Sequence, residues 1–345
     1  MSATILIDRT KHGSAAALWA DGKLQDLLID APEEDLTPRP GAIYRGIVEK
    51  PIKGIQGSMI RLPDGQQGFL RETKGLAPGQ RILCQVNTYA EAGKSAPVTR
   101  RLLFKSRFAI VTPEAPGLNI ARSIRDEDVR DGLGVLAREA MDGSDFGLIV
   151  RSSAASADEA TVFEDIAAMR GLAEQVLSDD GQDAALLVDA PTAEELAWRD
   201  WDPSADVIAE DGAFERFDVW GAVEALRFSK ASMGKGWLSV DGTPALVAID
   251  VNSGGDFSPA ATLKANRDAV RELPRQLRLR GLGGQIVVDF APMNKRDRRE
   301  IETMLKAAFR ADPVETSLAG WSNLGLFELQ RKRERRPILE CLGGD

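Results

Sequence analysis

The sequence predicts a multidomain α/β protein, and three observations carry that prediction. The chain has 345 residues with 43% apolar content, more than one core ordinarily serves, since single cores stop growing near about 250 to 300 residues. Residues 41 to about 100 hold short β-like runs punctuated by Gly, Pro and Asp. Further on, two apolar runs ending in aspartate flank one long helical pattern, the order of a β-α-β crossover.

At the N-terminus, Ala3 to Asp8, Ala15 to Ala20 and Leu24 to Ile29 read as strands, the last two around Asp21-Gly22, a dipeptide suited to a type I′ turn. Proline-rich Ala31 to Pro40 reads as a linker. Ala42 to Val48, Ser58 to Arg61, Gln67 to Leu70 and Arg81 to Asn87 are closely spaced β-like runs, which predicts a small closed barrel. Gly147 to Val150 reads as a strand, with a helix beginning at Ser156, where Glu159 completes a capping-box pattern. The acidic stretch Glu174 to Asp183 reads as an exposed helix end and loop, Ala184 to Asp189 as a strand, and Thr192 to Trp198 as a helix. There is no internal repeat or low-complexity tract.

The two aspartate-ended runs are Pro244 to Asp250 and Gly284 to Asp289. Both are nearly continuous in apolar residues, as strands buried on both faces of a parallel sheet should be. Ser258 to Arg280 between them reads as a helix with Ser258 as cap and Pro259 in its first turn. Neighbouring strands would bring Asp250 and Asp289 to one C-terminal sheet edge, where open α/β sheets bind ligands. Two carboxylates there suit Mg²⁺, which combines one or two carboxylates with waters and phosphate oxygens. Asn252, two positions beyond Asp250, would point the same way and donate to a phosphate oxygen. The plainer reading is that strand-final aspartates are turn or helix caps.

Along the helix, Leu263, Val270, Leu273 and Leu277 fall on one arc and Arg267, Arg271, Arg275 and Arg278 on another. Arginine forks bidentately onto phosphate. Pro274, inside this helix, predicts a kink or break, because proline costs about 3 kcal/mol in a regular interior. Further basic clusters are Lys295, Arg296, Arg298 and Arg299, and Arg331, Lys332, Arg333, Arg335 and Arg336. Net charge is −9, yet Ser258 to Arg336 carries 17 basic against 10 acidic residues, leaving 27 against 43 elsewhere. Such a basic region is either a phosphate-binding surface or a solvated helix face laced with ion pairs.

Composition excludes several chemistries. The cysteines, Cys84 and Cys341, have no second cysteine nearby, so neither a disulfide framework nor a Cys-x-x-Cys knuckle is available within one chain. The single histidine, His12, removes histidine-serine triads and multi-histidine zinc sites. No run of eighteen apolar residues is present, and the expectation is a cytoplasmic protein with no membrane partner. Met233-Gly-Lys-Gly-Trp237 lacks the full phosphate-loop spacing; Gly236 and Asp241-Gly242 mark a hairpin instead.

Ala248-Ile-Asp-Val-Asn-Ser253, Arg275-Gln-Leu-Arg-Leu-Arg-Gly-Leu-Gly-Gly284 and Ile286-Val-Val-Asp-Phe290 together resemble the catalytic signature of the ribonuclease E/G family, and Gly325-Leu-Phe-Glu-Leu-Gln-Arg-Lys-Arg333 resembles the segment after its second aspartate. The resemblance runs in order along nearly the whole chain. It implies an RNase H-like subdomain in two parts (1–37 and 184–236) split by an OB-fold RNA-binding barrel (38–103) and a 5′-sensor segment (104–183), then a deoxyribonuclease-like catalytic subdomain (237–345). It also implies a Mg²⁺-dependent endoribonuclease that cuts single-stranded RNA to leave 5′-phosphate and 3′-hydroxyl ends, open to stimulation by a 5′-monophosphate.

By the same resemblance Asp250 and Asp289 are the magnesium ligands and Asn252 the polar partner of the scissile phosphate. In the barrel, Gly41-Ala-Ile-Tyr-Arg45 and Gly68-Phe-Leu70 resemble the RNA-binding module, with Phe69 as the stacking aromatic, unless it is barrel core, and Lys94 as an RNA contact. Arg45, Arg122, Arg271, Arg275 and Arg278 complete the expected RNA-binding set. Gly147-Leu-Ile-Val-Arg-Ser152 resembles the 5′-phosphate pocket, with Arg151 and Ser152 on the phosphate and Ser106 to Ile110 as its opposite wall. Several features depart from the family. Met59 stands where a second aromatic is usual, Pro292 replaces an acidic residue, Asn323 replaces an arginine, and the loop Ser253-Gly-Gly-Asp256 is short. The Cys-Pro-x-Cys zinc link is missing, which leaves open a homodimer not dependent on a four-cysteine site and a metal held by Cys341 between chains. The alternative function is a non-catalytic RNA-binding protein that retains the fold.

Overall fold

Period-two alternation near the N-terminus produces strands, as expected. In the computed structural model, which describes residues 3–10, 13–50, 54, 56–91, 93–201 and 204–342, β1 (Thr4–Thr10), β2 (Gly13–Ala20) and β3 (Lys23–Ile29) pair antiparallel in sequence order. Asp21 and Gly22 have φ of 55° and 70°, the two left-handed conformations a type I′ turn needs. His12 lies outside the described residues.

The turn-rich region closes a five-stranded, OB-like barrel from β4 (Ile43–Val48), β5 (Ser58–Arg61), β6 (Gln67–Leu70), β7 (Arg81–Val86) and β8 (Ala96–Thr99). Neighbours run β4-β5-β6-β8-β7, and β7 returns to β4 with Ile43 opposite Gln85. Its core includes Ile60, Leu70, Ile82, Cys84 and Val98. Strand β8 gave no signal in the sequence, because Pro97 argues against a strand.

A second sheet, β11-β12-β10-β9, is built from β9 (Phe104–Lys105), β10 (Ala109–Thr112), β11 (Leu118–Ile120) and β12 (Gly147–Val150), with α1 (Glu127–Ala140) and α2 (Glu159–Leu177) sharing its core. The cap of α2 is Asp158, whose carboxylate accepts from the Thr161 N–H; Ser156, the expected cap, ends a short 3-10 turn instead. Asp caps as well as Ser, and Asp158 is the residue adjoining the first helical turn. Strand β13 (Ala185–Val188) pairs antiparallel with β4, and α3 (Ala193–Asp200) starts from a true capping box, Thr192 with Glu195.

By its internal contacts the chain divides into two units, Met1–Pro32 with Asp206–Asp345, and Glu33–Ala205. Strand β13 lies in the second of these units, where it hydrogen-bonds to β4 of the barrel. In the first unit, β14 (Asp206–Ala209) lies parallel to β1, with Thr4 opposite Asp206. Short helices α4 (Ala213–Arg216) and α5 (Val219–Glu224) follow. Buried Asp8 of β1 accepts from the N–H groups of Gly212 and Phe214 at 3.0 and 2.8 Å and so caps α4 from outside.

The rest of this unit is a six-stranded sheet, ordered β15-β16-β17-β18-β20-β19. It comprises β15 (Lys230–Met233), β16 (Gly236–Gly242), β17 (Val247–Asn252), β18 (Gly284–Asp289), β19 (Thr316–Trp321) and β20 (Phe327–Arg331). Helix α6 (Pro259–Leu279) joins β17 to β18, α7 (Lys295–Ala311) joins β18 to β19, and α8 (Ile338–Cys341) follows β20. Only β17 and β18 pair in parallel, as one crossover should. The expected break at Pro274 is absent: α6 runs unbroken from its Ser258 cap, with Pro274 buried among Leu273 and Leu277. Burial of the ring offsets the hydrogen bond that proline cannot donate. Among the described residues no helix is long and apolar enough to cross a membrane.

Candidate active site

Register places the two aspartates side by side. In the parallel pair β17 and β18, Val247 faces Ile286, Ala248 faces Val287, Ile249 faces Val288, and Asp250 faces Asp289. Val247, Ile249, Val251, Ile286 and Val288 are buried against α6 and α7, whereas Asp250 and Asp289 are exposed. The expectation of burial on both faces is thus corrected. Helices cover one face of the sheet, and small or β-branched residues such as Ala248 and Val287 on the other face gave the strands their falsely continuous apolar look. That open face is what lets carboxylates stand on central strands without desolvation.

Asn252 shares the face of Asp250, as alternation requires, and its amide donates to Asp250 Oδ2 at 2.7 Å. One N–H of the amide remains for a second acceptor. Asn266 of α6, fully buried, was not foreseen. Its Nδ2 donates to the Ala291 carbonyl at 2.9 Å and its Oδ1 accepts from the Ala291 N–H at 3.0 Å, fastening the chain two residues beyond Asp289 to the helix. Only an Asn on an otherwise apolar arc hinted at it. Among the described residues no group of three or more His, Cys, Asp and Glu is placed to hold a metal ion. The donor set is two exposed carboxylates, which fits a hard, largely hydrated cation.

The basic helix is less available than its sequence suggests. Arg267 pairs with Glu300 at 2.6 Å and Arg271 with Asp268 at 3.0 Å. Arg275 pairs with Glu272 and donates to the Leu24 carbonyl at 2.7 Å, and Arg278 pairs with Asp312 and donates to the Gln25 carbonyl at 3.2 Å. Arg275 and Arg278 therefore tie α6 to β3, and the ion-pair-laced face describes Arg267 and Arg271. Lys295, Arg296 and Arg299 in the first turns of α7 differ: all three are exposed, without an ion-pair partner among the described residues. Cations at a helix N-terminus oppose its dipole, so these charges, with Asp297 and Glu300 nearby, stand in the open just beyond Asp289.

In the second unit, Phe69 faces out of the barrel, since Gly68 and Leu70 on either side point inward, and Met59 lies opposite it. Lys94 is exposed beside Glu91 at 2.5 Å. Arg45 is mostly buried, paired with Asp179 at 2.5 Å and donating to the Asp183 carbonyl, so it fastens the acidic loop after α2. Arg122 is exposed in a turn. Arg151 follows β12 and donates to the carbonyls of Ser106 and Arg199 at 2.6 and 3.2 Å and to Asp200 Oδ1 at 2.8 Å; Ser152 beside it is exposed. Asp200 also accepts from Arg199, and although burial works to raise its pKa, the hydrogen bonds and charges of Arg199 and Arg151 hold it below the usual carboxylate range. No local signal could have tied Asp200 to Arg151 across 49 positions.

Known proteins bear on this arrangement. The chain is 27% identical to ribonuclease E of Nostoc sp. over 95% of its length, 28% identical to ribonuclease E of Synechocystis sp. over 96%, and 27% identical to ribonuclease G of Escherichia coli over 99%. It spans 56% and 57% of the two ribonuclease E chains and 82% of ribonuclease G. The family profile described as "Ribonuclease E/G family" matches residues 104–212 and 199–334, stretches that contain Arg151, Asp250, Asn252 and Asp289. With two thirds of its residues inside that profile, and with the aspartate pair in register on one sheet, the chain belongs to the Ribonuclease E/G family.

Proposed function

We propose that the protein is an endoribonuclease of RNA processing or decay that cuts single-stranded RNA with Mg²⁺ held by Asp250 and Asp289, leaving 5′-phosphate and 3′-hydroxyl ends. The observation that carries this reading is the register pairing of the two exposed aspartates on an uncovered sheet face. Bound between them, Mg²⁺ would supply activation of water and neutralisation of charge on the phosphate. Asn252 orients Asp250 through its 2.7 Å hydrogen bond and presents its remaining N–H to a phosphate oxygen. Asn266 fixes the backbone beyond Asp289. Lys295, Arg296 and Arg299 offer exposed positive charge close after Asp289 in the sequence to receive the RNA backbone. Phe69, turned out of the OB-like barrel, supports base stacking there, and Lys94 supports a phosphate contact.

The finer architecture in this reading is an RNase H-like part containing β1 to β3 and a deoxyribonuclease-like part, residues 237–345, containing β17 to β20. Buried thiols at Cys84 and Cys341 suit a reducing compartment such as the cytoplasm. Incubation with a 5′-monophosphorylated AU-rich oligoribonucleotide and Mg²⁺ tests the reading. Cleavage is expected, falling on the order of a hundredfold or more in Asp250→Asn or Asp289→Asn. No cleavage by the wild-type protein, or full activity in Asp250→Asn, would leave a binding protein only.

A further inference from the structure

The open face of the six-stranded sheet carries more than its carboxylates. Along β16, Leu238 and Val240 enter the core, so Trp237, Ser239 and Asp241 project to the opposite face. Register then sets out two rows across that face. In one, Lys230 lies opposite Ser239, Ser239 opposite Asp250, and Asp250 opposite Asp289. In the other, Ser232 lies opposite Trp237 and Trp237 opposite Asn252. The indole is thus the cross-strand neighbour of the asparagine that hydrogen-bonds Asp250. Side chains directly opposite on an antiparallel pair are in contact range.

Trp237 is only half-buried, and no other aromatic ring packs on it among the described residues; what lies over its face is the Lys230 ammonium, 4.3 Å from the ring centroid. A large indole left partly in water on a catalytic face, covered by a mobile cation, has the parts of a nucleotide subsite. A ring face can stack any base, and stacking on an aromatic outweighs an exposed cation–π contact. The lysine stem is flexible, so its charge can leave the ring for a phosphate when a base arrives.

We propose that Trp237 and Lys230 form a subsite for the nucleotide adjoining the cleaved bond, the base stacking on Trp237 and its phosphate meeting Lys230. This rests on the nuclease reading above and assigns its substrate a specific contact: an unpaired base, of any identity, next to the scissile phosphate. Duplex RNA is disfavoured there because a paired base has no free face.

The test uses the full chain and a short single-stranded oligoribonucleotide, with each base in turn replaced by an abasic residue. Trp237→Ala should raise KM on the order of tenfold with kcat nearly unchanged, while Trp237→Phe stays close to wild type. One abasic position, adjoining the cut, should weaken the wild-type enzyme by a similar factor and leave Trp237→Ala no worse than before. Wild-type KM and an unchanged abasic profile in Trp237→Ala would overturn the subsite while leaving the nuclease reading intact. Should the wild-type protein fail to cut, the nuclease reading falls. Tryptophan emission of Asp250→Asn then decides the subsite: quenching by the oligonucleotide that disappears in the added Trp237→Phe supports it, and quenching indifferent to that change refutes it.

Discussion

Arg151 illustrates how a recognisable residue acquires its meaning from an unrecognisable one. Its guanidinium is already engaged by Asp200, a carboxylate that any anion reaching Arg151 must displace. Asp200→Asn should therefore increase the preference for a 5′-monophosphate over a 5′-hydroxyl end, on the order of tenfold in the ratio of kcat/KM values. An unchanged ratio would show that the ion pair does not compete. The depressed pKa of Asp200 also fixes a sign: its contribution to stability is present above the ordinary carboxylate value of about 3.9 and is lost as pH falls through the lower folded value. Melting midpoints measured below about pH 4 should thus fall less steeply in Asp200→Asn than in wild type. Cys84 gives the opposite case, since burial in the barrel pushes its thiol up to about 12. Its thiol should resist alkylation at neutral pH until the barrel opens, a difference readable by comparing labelling in buffer and in denaturant.

Helix α6 is where the sequence was most informative and most misleading. Its Ser258 cap, its length and its apolar arc were legible, because capping and the 3.6-residue period are local properties. Its arginines were not, because whether a guanidinium meets RNA or a carbonyl of β3 depends on residues some 250 positions away. Asn266 was invisible for the same reason: its partner Ala291 is set by the crossover, not by the helix. Leaving both Ala291 backbone groups unpaired in a dry site, Asn266→Leu should cost about 2 to 4 kcal/mol and lower kcat by displacing Asp289. A variant that loses stability but keeps kcat in the surviving folded fraction would remove Asn266 from the catalytic argument. The aspartate pair itself was readable because a strand, helix and strand of this length usually place the two strands side by side with one handedness.

Across the molecule, the two units should respond separately to damage. Asp312, with its side chain wholly buried, receives Arg331 at 2.8 Å, the Val314 N–H at 2.9 Å and Arg278, and so joins β20, α6 and the turn after α7. Burial pulls the Arg331 guanidinium below its usual pKa while Asp312 opposes that pull, as expected of a cation with one close counter-charge. Asp312→Ala should destabilise this unit by about 3 to 5 kcal/mol, because it leaves Arg331 buried without its anion while Arg278 keeps only the longer contact to Asp26. Calorimetry should show one transition shifted down and the other, from Glu33–Ala205, unmoved; equal shifts would mean that the units melt as one. The two-unit division was only partly legible. Turn spacing announced the barrel, but β13 attaches to it through hydrogen bonds that no local pattern encodes.

The parallel pairing of β1 with β14 also imposes an order of events on the growing polypeptide. Strand β1 is synthesised before its partner, which follows an insertion of 173 residues, 33–205. At a synthesis rate of roughly 5 to 20 residues per second, β1 waits on the order of ten to thirty-five seconds for the strand that pairs with its free edge. The inserted barrel can complete itself in that interval. Strands β1 to β3 cannot, because the helices that share their core, α4, α5 and α6, all lie beyond the insertion.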